Sequence, residues 1–152
     1  MNYTSQQVQL AVGIGQETLR YWRKALPPLA QARGHAACFT FSDLLSLKVV
    51  HLLVIQGGIA IGVVAGFADA LFETCRATAP HSISTRTSLV IRPADGKVER
   101  ATSFNSSSAD ALQILVPLSR CADELLQSLR ENGETDPQIS LPLPLAPVFA
   151  KG

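Results

Sequence analysis

The segment from Gln16 to Leu26 constrains the fold more than any other part of this chain. It lies between two strong breaks, Gly13-Ile14-Gly15 before it and Pro27-Pro28 after it. Glycine permits the left-handed backbone of a tight turn, and a proline ring clashes with the helical turn that precedes it. Between the breaks the side chains sort at helical spacing. Leu19, Trp22 and Leu26 form an apolar stripe, and Gln16, Glu17, Arg20, Tyr21 and Lys24 occupy the other face. The spacing predicts a helix over 16–24, fixed to a core by one flank and offering a polar, partly cationic flank to something else.

Upstream, Thr4-Ser5-Gln6-Gln7 has the spacing of a capping box. It predicts a first helix to about Val12, burying Val8 and Ala11 or Val12. Residues 29–41 read as a short hairpin, with Arg33-Gly34 at the turn and Cys38-Phe39-Thr40-Phe41 returning. Ser42-Asp43 is expected to cap a third helix from Leu44 to Gln56. Gly57-Gly58 stops it, and a fourth helix is expected over 60–77.

The texture then changes. Residues 79–86 read as a linker. Ser88–Arg92 and Lys97–Thr102 read as paired strands about the turn Pro93-Ala94-Asp95-Gly96. Leu112–Val116 is expected as a third strand. A last helix, capped by Ser119, carries Leu118, Cys121, Ala122, Leu125 and Leu129 on its apolar stripe and ends at Asn132-Gly133. The tail holds Pro137, Pro142, Pro144 and Pro147, which favour an extended, partly disordered chain. The expected class is α+β, mainly α. A winged helix-turn-helix head (1–78) and a linker (79–86) lead to a small β-β-β-α dimerisation or sensing unit (87–133) and a proline-rich tail (134–152).

Helix, glycine turn, helix, hairpin, helix is the layout of a winged DNA-binding head. A major groove about 12 Å wide admits one helix, which needs an apolar flank for its scaffold and a polar flank for base edges. Arg20 and Lys24 can reach phosphates, Gln16 can pair with adenine, and Tyr21 can donate its hydroxyl to a phosphate. Arg33, at the hairpin tip, can meet backbone or the adjacent minor groove. The full expected contact set is Thr4, Gln16, Glu17, Thr18, Arg20, Tyr21, Lys24, Arg33 and His35. Charge distribution agrees. The chain carries a net +1, but residues 1–60 hold five basic side chains against two acidic.

The run Tyr3-Thr4-Ser5, Val12-Gly13-Ile14, Thr18-Leu19-Arg20-Tyr21-Trp22, Arg33-Gly34 and Phe41-Ser42-Asp43-Leu44 resembles the head of MerR-type regulators over roughly residues 3–75. The resemblance implies a dimer on a palindromic operator, with the second helix in the major groove and the wing on the backbone. Two features differ from the family pattern. The wing run Gly34-His35-Ala36-Ala37-Cys38-Phe39 carries little charge, and the family's long coiled-coil helix is missing. These differences motivate an alternative, a protein-interaction adaptor or antitoxin-like module with weak DNA affinity. An effector or a protein partner at the C-terminal unit is compatible with either.

Other classes are disfavoured. From Val49 to Ala68 no residue is charged, and Gly58, Gly62 and Gly66 are spaced as in membrane helix pairs. Against a membrane span, Gly57-Gly58 interrupts the stretch, and Asp69, Glu73 and Arg76 oppose an apolar stripe. Cys38, Cys75 and Cys121 form no C-x-x-C pair and share no spacing with His35, His51 or His81, so no metal is expected. Gly13-Ile14-Gly15 lacks the third glycine of a dinucleotide fingerprint and follows a helix. No nucleophile elbow, P-loop or zinc-protease pattern is present, so neither an enzyme nor a cofactor is expected. The polar N-terminus without an apolar leader and the unpaired cysteines suit the cytoplasm.

Overall fold

The computed structural model describes residues 2–30, 39–103 and 111–133. The expected wing tip, with Arg33, His35 and Cys38, and the proline-rich tail lie outside these residues.

The first helix, α1 (Ser5–Val12), begins as the sequence suggests. The Gln7 amide donates to Thr4 Oγ1 at 3.2 Å, and the Thr4 amide donates to Gln7 Oε1 at 2.9 Å. Gly13 closes it at φ 86°, a conformation that side chains with a Cβ resist. α2 (Gln16–Ala25) follows. Pro27 ends it and also opens the one-turn helix α3 (Pro27–Ala30), because a first helical position needs no amide hydrogen. Phe39, on the far side of the expected hairpin, pairs with the N-terminal segment. The Tyr3 amide donates to the Phe39 carbonyl at 2.7 Å, and the Phe39 amide returns the bond at 3.2 Å.

The third helix starts earlier than expected. α4 (Phe41–His51) is capped by Thr40, with Asp43 in the third position completing a second capping box. The helix does not continue to Gln56 in α form. Leu52–Gln56 is a π-helical turn, closed by the Gly57 amide on the Leu52 carbonyl at 2.9 Å. A Cβ at Gly57 would stand 2.7 Å from the Leu53 carbonyl oxygen, so only glycine lets the turn tighten there. The fourth helix divides into α5 (Ile61–Ala65) and α6 (Ala68–Ala77). The Gly66 and Phe67 amides reach back only three residues, to Val63 and Val64, while the Phe67 side chain is buried.

Strands β1 (Ser88–Arg92), β2 (Lys97–Ala101) and β3 (Ile114–Pro117) form an antiparallel sheet in the order β2-β1-β3. Leu89 stands opposite Arg100 and Val116, and Ile91 opposite Val98 and Ile114. Leu89, Ile91 and Val116 are buried on the inner side. α7 (Leu118–Gly133) follows β3 directly. Its first amides, Leu118 and Ser119, donate to the Thr87 carbonyl at 3.1 and 3.4 Å, so a carbonyl from the segment before β1 meets this helix start.

Head and C-terminal elements share one apolar core. It runs from Val8, Trp22 and Leu44 through Phe67 and Phe72 to Leu89, Cys121 and Leu125. α7 packs on α1 and α4, and β2 packs on α6. Polar contacts reinforce the junction. Lys48 Nζ on α4 meets Glu124 Oε2 on α7 at 3.3 Å, and the Thr74 hydroxyl on α6, which donates to the Ala70 carbonyl at 2.7 Å, shares that proton more weakly with the Val98 carbonyl at 3.3 Å.

Candidate nucleic-acid interface

The outer flank of α2 is built by what its inner flank does. Leu19, Trp22 and Leu26 are buried, so helix rotation is fixed. Gln16, Glu17, Arg20, Tyr21 and Lys24 are therefore left exposed together, and Thr18 sits half-buried at the edge. Tyr21 keeps 57% of its surface in solvent, unusual for an aromatic side chain with an apolar core beside it.

Charges on this flank are organised. Arg20 Nη1 lies 3.1 Å from Glu17 Oε1, with both side chains largely in water. An exposed pair of this kind is weak and exchanges readily for a phosphate or a guanine edge. The carboxylate meanwhile holds the guanidinium along the helix surface. Gly15 caps α2 without a side-chain bond, so the first amides of the helix lack a side-chain cap where an anion is favoured. Thr4 sits at the start of α1. Its hydroxyl oxygen accepts from Gln7, and its own hydrogen remains able to donate.

One contact was not visible in the sequence. The Arg23 guanidinium lies over the Phe39 ring, 5.6 Å from its centre. It ties α2 to the strand residue that pairs with Tyr3. Residues 16 apart in sequence give no local signal of this. Of the nine expected contact residues, Thr4, Gln16, Glu17, Thr18, Arg20, Tyr21 and Lys24 are described; Arg33 and His35 are not.

Titration behaviour elsewhere concerns the core. Burial pushes the Cys75 thiol up to about 11, against a hydrogen bond from Ser46. Burial, with Glu124 nearby, pushes Cys121 to about 12. Both thiols therefore stay neutral and act as small core groups. His51 is lowered by burial and by Lys48, opposed by Glu124. Burial tends to raise Glu124, but hydrogen bonds from Arg120 and Lys48 outweigh it and hold the carboxyl below its ordinary range. Among the described residues, no three His, Cys, Asp or Glu side chains gather where they could hold a metal ion. No helix among them is long and apolar enough to cross a membrane; the uncharged stretch 49–68 is broken by the π turn and Gly58.

Comparison with protein families matches residues 3–71 to the MerR HTH family regulatory protein model. Comparison with curated proteins gave no match. The family match runs from the Tyr3 bridge into α6 and takes in the two-faced α2, while the sheet and α7 lie beyond it. Residues 3–71 are thus similar to the helix-turn-helix head of MerR family regulatory proteins, and β1–β3 with α7 lie beyond the matched part.

Proposed function

We propose that the chain is a transcription regulator of the cytoplasm that binds double-stranded DNA as a dimer on an inverted repeat. The observation that carries this reading is the outer flank of α2, where Gln16, Arg20, Tyr21 and Lys24 stand exposed on a helix whose other flank is anchored by Trp22. In this reading α2 lies in the major groove. Gln16 reads a base edge, Arg20 holds a phosphate or reads a guanine edge, Lys24 and Tyr21 hold phosphates, Thr18 borders the groove, and Glu17 orients Arg20. Thr4 donates to a phosphate at the start of α1. Arg33 and His35 supply the wing contact. The C-terminal unit assembles the dimer or receives a signal from an effector or partner.

The test is a fluorescence anisotropy titration of the purified chain on labelled duplexes at several salt concentrations, followed by selection of bound sequences from a random pool. Arg20→Ala is expected to weaken binding to unrelated duplex and to lower the salt slope by about 0.9, the value of one phosphate contact. A selected palindrome supports the dimeric reading. Unchanged binding by Arg20→Ala refutes the assignment of α2.

A second reading is a protein-interaction module that keeps the head's shape with weak DNA affinity. Glu17 favours it, since this carboxylate offsets Arg20 on the flank that meets DNA. Absence of retention on heparin at low salt, with a stoichiometric protein partner, supports that reading over the first.

A further inference from the structure

Outside the head, the surface of α7 carries charges that have no ion pair among the described residues. The outer flank of α7 presents Asp123, Leu126, Gln127, Arg130 and Glu131 around a shallow recess of about 400 Å³. Leu126 keeps 47% of its surface in solvent. The other ionic groups of this helix are engaged. Arg120 binds Glu124 at 3.0 Å, Glu124 also binds Lys48, and Gln127 donates to Glu131 at 3.0 Å. Asp123 and Arg130 have no ion pair among the described residues.

These two residues have opposite charge and stand seven apart, two helical turns or about 10.5 Å along one stripe. Leu126 lies between them. A stripe with an acid at one end, a base at the other and a leucine in the middle complements a copy of itself turned end for end. That is the self-complementarity a two-fold contact requires. Resting on the dimeric reading above, we propose that two copies of α7 pair antiparallel about a two-fold axis between Leu126 and Gln127. Asp123 of one copy then faces the partner's Arg130, and Arg130 faces the partner's Asp123.

The neighbourhood fits this occupant. Leu126, the apolar member of the stripe, is exposed between the two charges, and α1, which packs against α7, carries a second exposed leucine, Leu10, with 54% of its surface in solvent. A helix of this length alone buries less than the roughly 800 Å² per partner typical of stable complexes. The pairing is therefore weak in free solution and strengthens when two heads occupy one duplex, since tethering raises effective concentration.

The test is sedimentation of the full chain over a concentration series, without DNA and on a long duplex of unrelated sequence. Asp123→Arg sets like charges across the axis, as does Arg130→Asp, and each is expected to weaken dimerisation about tenfold or more. The double swap, Asp123→Arg with Arg130→Asp, restores opposite charges and returns the affinity to within a few-fold of wild type. Both positions are exposed, so circular dichroism of all variants should match wild type. A wild-type dimer that neither single change weakens, or that the swap does not recover, overturns the α7 pairing and leaves the dimeric reading standing. A chain that stays monomeric at every concentration, on and off DNA, overturns both the pairing and the dimer. The anisotropy titration with Arg20→Ala then decides DNA binding by itself.

Discussion

Glu17→Gln separates the role of α2's charges from their mere presence. In the free protein the Glu17 carboxylate holds the Arg20 guanidinium at 3.1 Å, with the two side chains 82% and 57% exposed. Such pairs are worth about 0.2–1 kcal/mol. When Arg20 moves to a phosphate, that contact is given up, so the loss appears as weakened DNA binding. Replacing Glu17 by glutamine removes the competing charge and keeps the side chain's shape. On a duplex of unrelated sequence, where phosphate contacts dominate, affinity should rise about 1.4- to 5-fold, the factor matching ~0.2–1 kcal/mol. Anisotropy titrations at 20–200 mM salt provide the measurement, a range of roughly a decade over which screening changes strongly. The gain should shrink as salt rises and vanish in an Arg20→Ala background. If Glu17→Gln strengthens binding equally without Arg20, the carboxylate acts by repelling phosphate directly and does not compete for Arg20. No gain in either background would mean this flank does not face DNA.

Two further outcomes follow from the junction between head and sheet. Glu124 is held below its ordinary carboxyl range, so its pairing with Arg120 and Lys48 adds stability above the unfolded-state value and loses it as pH falls through the folded one; the melting-temperature difference between wild type and Glu124→Gln should be present at pH 7 and close as pH falls below about 4, and a constant difference would refute it. Gly96 sits at φ +68° in the β1–β2 turn, and a Cβ there would lie 3.1 Å from the Gly66 carbonyl oxygen, so Gly96→Ala should cost about 1–2 kcal/mol in urea unfolding, with an unchanged midpoint counting against the close approach.

Local rules made much of this chain legible. Thr4 and Gln7 announce α1 because both halves of a capping box lie within one turn. The faces of α2 follow from period alone, and so does the juxtaposition of Glu17 and Arg20. The turn 93–96 was legible because Gly96 takes a conformation that other residues avoid. What escaped depends on distant partners. Thr40, Ser42 and Asp43 are all acceptable caps, and the chain uses Thr40 with Asp43 as its reciprocal acceptor. The break between α5 and α6 reflects burial of Phe67, which no local pattern fixes. Arg23 over Phe39, the Tyr3–Phe39 bridge and the Thr87 carbonyl at the start of α7 all join residues far apart in sequence. Exposure of the candidate flank was therefore readable, and the contacts that support it were not.

That support bears on how the head can work. In a two-helix reading unit, α1 must be held firmly if α2 is to meet DNA at a fixed angle. α1 buries Val8, Ala11 and Val12, and α7 is among the elements packed against it. The same α7 also rests on α4, where Lys48 meets Glu124. The C-terminal helix therefore belongs to the scaffold of the head as well as to the sheet. Removing it would uncover apolar surface on two helices of the head, which water penalises in proportion to area. A contact made on the outer flank of α7 lies one helix away from α1. Any partner that favours one orientation of α7 over another would bias the angle of α2 through this packed core. A partner indifferent to that orientation would leave DNA affinity unchanged however tightly it bound.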